Sequence, residues 1–179
     1  MIGNLNHGWV FICPQKTGSL SMRHWLLELY GGERISRYHD RIVPEPFISC
    51  YKFITVRDPY ERAYSAWHHV GRKQKSGPSR KDRGISFNES CKKLAFSSGR
   101  LVDFYSDANA DGFVRLEMLS EDVTKLHFFD PDKPLPGEHR VNSGKPGGGF
   151  RAAFSSDSQE SELVRTLFAE DFSVFGYQP

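Results

Sequence analysis

Apolar and polar positions along this chain fall into short hydrophobic runs separated by amphipathic stretches. Trp9-Val10-Phe11-Ile12-Cys13 is unbroken, and Tyr51-Lys52-Phe53-Ile54-Thr55-Val56 is interrupted only at Lys52 and Thr55. Runs of this length, rich in aromatic and β-branched residues, read as buried strands. Between them, Met22, Trp25, Leu26, Leu29 and Tyr30 recur at the helical period and form one stripe that Gly31-Gly32 should end. After the second run, Pro59 opens another helix, with Tyr60, Tyr64 and Trp67 on one face and Glu61, Ser65, His68 and Arg72 on another. Ser86 and Glu89 have the spacing of a capping box for a helix through about Phe96. Phe113 to Leu116 reads as a strand, and Ser120-Glu121-Asp122 opens a helix with acids in its first turn. Ser156 and Gln159 are expected to cap the last helix, with Leu163, Val164, Leu167 and Phe168 facing inward.

Strands alternating with helices predict an α/β fold with a mainly parallel central sheet flanked by helices. With 179 residues and no long linker rich in Pro, Gly or Ser, the expectation is one domain over residues 1–179. Residues 33–50, holding His39 and Glu45, read as an irregular connection. Asp130 to Ser155 reads as a long loop rich in Pro and Gly, with Lys145 to Arg151 free to fold over a ligand.

Both hydrophobic runs end in the same way. The first leads through Pro14-Gln15-Lys16-Thr17-Gly18-Ser19-Leu20-Ser21 into a helix. The second leads through Arg57, with Asp58 as N-cap and Pro59 in the first turn. A strand, a turn bearing a cation and small hydroxyl residues, and then a helix N-terminus make an anion site, because unpaired N–H groups and the positive end of the helix dipole converge there.

On these residues the chain resembles the sulfotransferases that use 3′-phosphoadenosine 5′-phosphosulfate (PAPS), especially the carbohydrate type. The loop is similar to that family's 5′-phosphosulfate loop, which implies cofactor contacts by Lys16, Thr17, Gly18, Ser19 and Ser21. The segment Arg57-Asp58-Pro59-Tyr60-Glu61-Arg62-Ala63-Tyr64-Ser65 is similar to its 3′-phosphate segment, which implies contacts by Arg57 and by Ser65, eight residues on (65 − 57). Phe113 to Leu119 and the ending Phe168 to Tyr177 continue the likeness. The resemblance implies a P-loop-nucleotide-kinase-like fold, PAPS as donor with PAP as product, and transfer to a glycan or a small hydroxylated acceptor. Leu20 departs from the pattern, standing where most members carry Thr. A lost hydrogen bond to a charged group costs about 1.5 to 3 kcal/mol unless Ser19 or Ser21 replaces it.

The net charge of +2 points to no polyanionic partner, so attraction for an anion must come from local placement of Lys and Arg. The basic tract Arg72 to Arg83 reads as a solvated loop that could steer an acidic acceptor. It lacks the interleaved aromatics of a nucleic-acid surface, and nucleic-acid binding is not expected. Cys13, Cys50 and Cys91 show neither a paired framework nor metal-ligand spacing, which suits a reducing compartment. No apolar stretch approaches the roughly 20 residues of a membrane span, and a soluble, cytoplasmic protein is expected.

Sulfuryl transfer resembles phosphoryl transfer in being an in-line displacement governed by positioning and electrostatics. Lys16 suits the charge that builds on the leaving phosphate oxygen, and no metal is required. His39 is the candidate base, with Glu45 as the alternative. Two other readings stay open. One is a P-loop-like nucleotide kinase or NTPase, although the chain has no Gly-x-x-x-x-Gly-Lys-Ser/Thr motif. The other is a nucleotide- or polyanion-binding module without turnover.

Overall fold

A computed structural model of the chain describes residues 1–74, 85–135 and 149–179. The chain gathers into two compact units, one of Met1–Arg57 with Asp103–Ser143, the other of Asp58–Val102 with Gly144–Pro179.

The first unit holds a five-stranded sheet of β1 (Ile2–Asn4), β2 (Trp9–Ile12), β3 (Glu33–Arg34), β4 (Tyr51–Val56) and β5 (Gly112–Arg115), in the order β3-β1-β2-β4-β5. β2, β4 and β5 run parallel, while β1 is antiparallel to both β2 and β3. The α/β class holds, but the sheet is mixed and not mainly parallel. The cause is a tight turn ahead of β2. Gly8, at φ +64°, donates its N–H to the Leu5 carbonyl at 3.2 Å, and the Asn4 side chain accepts from the His7 N–H at 3.1 Å. A turn this short can only reverse the chain, whereas a parallel neighbour needs a crossover.

β2 and β4 are the hydrophobic runs of the sequence, and burial on both faces explains their lack of alternation. Lys52 is tolerated inside β4 because its ammonium donates to the carbonyls of Ile48 (3.1 Å) and Cys50 (2.9 Å) and lies 3.4 Å from Asp111. Helix α1 (Ser19–Leu29) buries Met22, Trp25 and Leu26, followed by Tyr30. Leu29 of the predicted stripe is 38% exposed, so the buried face is narrower than the periodicity suggests. Gly31, at φ +59°, turns the chain, and the Gly32 N–H returns to the Leu26 carbonyl at 2.9 Å. The chain then lies along β1 as the two-residue β3, too short and too exposed to show a period in sequence. Trp9 stacks on Phe128 and Phe11 leans on Phe53, with ring centroids 5.0 and 5.2 Å apart. Each such buried aromatic stabilises the fold by about 1.5 to 3 kcal/mol.

The second unit is helical, built from α2 (Pro59–Gln74), α3 (Phe87–Lys93), a π-helical turn at Leu94–Ser98, the start of α4 (Leu101–Asp107), and, after the short α5 (Leu119–Asp122) of the first unit, α6 (Gly149–Ala153), α7 (Gln159–Leu167) and α8 (Ala169–Phe175). Asp58 caps α2 by accepting the Glu61 N–H at 3.1 Å. The capping box of α3 is present, with Ser86 Oγ and Glu89 Oε2 each accepting the other's N–H. At α7 the cap is Ser158, whose Oγ accepts the Ser161 N–H at 3.1 Å. Ser156 contacts the Asp157 carboxylate instead, and α8 follows as a separate helix. Val164 and Phe168 are buried, with Leu163 and Leu167 packed beside them.

Part of the long loop read from sequence is helix α6. There the Glu61 carboxylate accepts the Phe150 N–H at 2.8 Å and occupies the space a Cβ at Gly149 would need. Residues 75–83 of the basic tract and 136–148 of the long loop lie outside the described residues. Among the described residues no helix is long and apolar enough to cross a membrane.

Candidate functional site

Because β2, β4 and β5 are parallel, the chain leaves all three at one end of the sheet, through Cys13, Arg57 and Leu116. In open α/β sheets ligands dock outside the carboxyl ends of the strands.

The Pro14–Gly18 loop at that end contains two left-handed residues, Lys16 at φ +67° and Gly18 at φ +73°. Gly18 has to be glycine, since a Cβ there would also collide with the Leu116 side chain. Lys16 has no such excuse, and for an L-residue the conformation costs roughly 1 to 2 kcal/mol. Its neighbours impose it. Thr17 is wholly buried and donates its hydroxyl hydrogen to the Pro14 carbonyl at 3.0 Å. Thr55 of β4 lies 2.7 Å from the same oxygen. With the Thr17 hydrogen committed, Thr55 is the donor of that pair. From the other side, Arg57 Nη1 donates to the Lys16 carbonyl at 3.4 Å. Thr17 therefore braces the loop through its hydroxyl and has its main-chain N–H to offer a ligand.

Gly18 caps α1 without a side-chain hydrogen bond, and the first turn of α1 carries no acid. The leading N–H groups and the positive end of the dipole meet no built-in anion there. Ser19 is buried and Ser21 half-buried within this turn.

His39 also stands at positive φ, +72°. Its Nδ1 lies 2.6 Å from the carbonyl of Cys13, the residue that leaves β2. A carbonyl only accepts, so Nδ1 bears the hydrogen and Nε2 the lone pair. Although His39 is exposed, desolvation of its ring by the surrounding atoms pulls its pKa below the ordinary histidine value. The charges of Arg23 and Lys16 add to the fall, and the Cys13 carbonyl opposes it. The ring is thus neutral at pH 7 with Nε2 ready to accept a proton. His39, Asp40, Arg41, Ile42 and Asp107 line an open cleft of about 440 Å³, in which Arg41 pairs with Asp107 at 2.8 Å.

The first unit therefore gathers Lys16, Thr17, Gly18, Ser19, Ser21, Arg57 and His39 around its strand ends. Ser65 belongs to the second unit, half-buried on α2 six positions past Pro59. Glu45 is exposed at the head of a 3-10 turn. Sequence reasoning missed a third cation at the strand ends. Arg115 is clamped by Asp122 through Nε at 2.8 Å and Nη2 at 2.9 Å, and with Lys125 at 2.8 Å it holds the Asp122 carboxyl well below the usual range. This is a brace, signalled in sequence only by an acid seven residues after a strand-end arginine. It also missed Arg23, Arg34 and Tyr38, whose only local signal is the placing of Arg23 one turn after Ser19. Comparison of this chain with protein-family models, with curated proteins and with solved structures returns no match.

Proposed function

We propose that this chain is a sulfotransferase of P-loop-like fold that carries a sulfuryl group from PAPS to a hydroxyl or amine acceptor, with carbohydrate as the favoured class. The observation that carries the reading is Lys16, held in a left-handed conformation at the carboxyl end of β2 with the Arg57 guanidinium on its carbonyl. A strained, over-determined cationic loop at that end of a sheet is the expected form of a pre-organised anion site. The groups present suit such a donor: two cations, an uncapped helix N-terminus, and a turn whose glycine admits no side chain.

The bound nucleotide supplies an activated sulfuryl group whose bond to a phosphate oxygen breaks as a bond to the acceptor oxygen forms. Lys16 offsets the negative charge left on the phosphate side. His39 Nε2 takes the acceptor's proton, and the Nδ1 bond to Cys13 keeps the ring in the tautomer that can do so. Arg57 is assigned to the 3′-phosphate.

The test is calorimetric binding of adenosine 3′,5′-bisphosphate (PAP) beside ATP, with and without magnesium. Tight, metal-independent preference for the bisphosphate is the expected result, and magnesium-dependent preference for ATP would move the chain to phosphoryl transfer. Leu20 favours a second reading, a binding module without turnover, because the first turn of α1 lacks a hydroxyl at that position. Bisphosphate binding without sulfate transfer to any acceptor would select it.

A further inference from the structure

Arg23 lies one turn beyond Ser19 on α1, on the helix face that starts at the Lys16 loop. Its guanidinium sits over the Tyr38 ring, 3.9 Å from the centroid, and the Arg34 guanidinium lies 4.6 Å from the same centroid. Two cations sharing one ring repel each other, and the ring's quadrupole offsets only part of that repulsion. Arg34 uses its Nε on the Ser36 carbonyl at 3.0 Å. Arg23 Nε is buried with no hydrogen-bond acceptor, and among the described residues neither guanidinium has a carboxylate within ion-pair reach.

Tyr38 directly precedes His39, and Arg34 is registered on Ile2, whose partner on the other side is Phe11, one residue before the end of β2. Stacking on an aromatic ring fixes a guanidinium plane and, with Nε buried in Arg23 and bonded in Arg34, leaves the terminal Nη groups for a planar or tetrahedral oxyanion. We infer that Arg23 and Arg34, braced on Tyr38, form a second oxyanion site beside His39, separate from the Lys16 loop, which takes a carboxylate or sulfate group. On the sulfotransferase reading, on which only this last step rests, that group is an acidic substituent of the acceptor whose hydroxyl meets His39.

The experiment titrates a heparin-derived tetrasaccharide, bearing both groups, into protein saturated with adenosine 3′,5′-bisphosphate and into nucleotide-free protein, by calorimetry at low salt. Arg23→Gln and Arg34→Gln are each expected to weaken the tetrasaccharide by at least about tenfold and to leave bisphosphate affinity unchanged. Tyr38→Phe keeps the ring and should keep the affinity, while Tyr38→Leu should lose it. Absence of tetrasaccharide binding, unchanged binding in the Arg23→Gln/Arg34→Gln double variant, or a parallel fall in bisphosphate affinity would overturn the site. If the wild-type protein ignores the bisphosphate, the sulfotransferase reading fails, and the titration of nucleotide-free protein still decides the oxyanion site.

Discussion

Arg57 and Arg62 stand five positions apart in one stretch of chain, and the two units use them in opposite ways. In the second unit Arg62 is wholly buried, with Nη2 on the Gly99 carbonyl at 2.9 Å and Nη1 3.7 Å from Asp171, itself wholly buried. Asp171 also accepts the N–H groups of Leu101 and Val102, at 3.0 and 2.8 Å, so the two charges are matched within the unit, although Arg62 Nη1 itself makes no hydrogen bond. In the first unit Lys16, Arg23 and Arg57 are half-buried and Arg34 is exposed, all near strand ends, and Arg23 has no carboxylate partner among the described residues. A fully buried, matched ion pair acts on the fold, because removing either member strands the other charge in a low dielectric. Half-buried cations next to a strained loop contribute less to packing, and on the sulfotransferase reading they meet an anion from outside.

The sharpest way to break this contrast is Arg62→Ala, which should cost about 3 to 5 kcal/mol of stability by stranding Asp171. Urea unfolding that shows a loss below about 1 kcal/mol would remove the architectural role. Lys16→Ala should do the reverse, lowering kcat by about 10²- to 10³-fold while unfolding stays within about 0.5 kcal/mol of wild type. Lys16→Gly should lose the same turnover and gain up to about 1 kcal/mol by relieving the left-handed backbone. Arg57→Ala is expected to weaken adenosine 3′,5′-bisphosphate by about 1.5 to 3 kcal/mol and to leave adenosine 5′-phosphate nearly unchanged. Equal losses would end its assignment to the 3′-phosphate. Thr55→Val withdraws the donor to Thr17 and should cost about 1 to 3 kcal/mol, read by thermal unfolding together with a rise in KM for the nucleotide. The smallest effect concerns pH. His39 must be neutral to act, and its pKa is depressed, so kcat/KM should rise with pH through a limb below about 6.5. Arg23→Gln should move that limb upward, and His39→Gln should abolish it.

Features that depend on neighbours in sequence were legible. The runs at Trp9 and Tyr51, the Asp58 cap and the Ser86–Glu89 box rest on periods and spacings of a few residues. The Ser158 cap was misjudged by two positions because Ser155, Ser156 and Ser158 offer nearly equivalent hydroxyls, and only the seating of Val164 and Phe168 chooses among them. No linker marks the passage between the units, since Arg57 and Asp58 adjoin within one motif. Leu29 fits the stripe of α1 and is still exposed, because a stripe records what a helix can bury and not how far its neighbour extends.

Local order along the chain was enough for β2, β4 and β5, for α1, α2, α3 and α7, for the α/β class and for the two cation-bearing turns at the strand ends, since each follows from backbone preference and side-chain spacing within about ten residues. Long-range pairing supplied the rest. The antiparallel edge of β1 and β3, the Thr17–Thr55 bond that holds Lys16 in a strained conformation, the Cys13 carbonyl that sets the His39 tautomer, and the Arg62–Asp171 pair join residues up to 109 positions apart (171 − 62). Whether a cation is neutralised by the fold or held out to a ligand depends on such distant partners, and their approach in space leaves no period in the sequence.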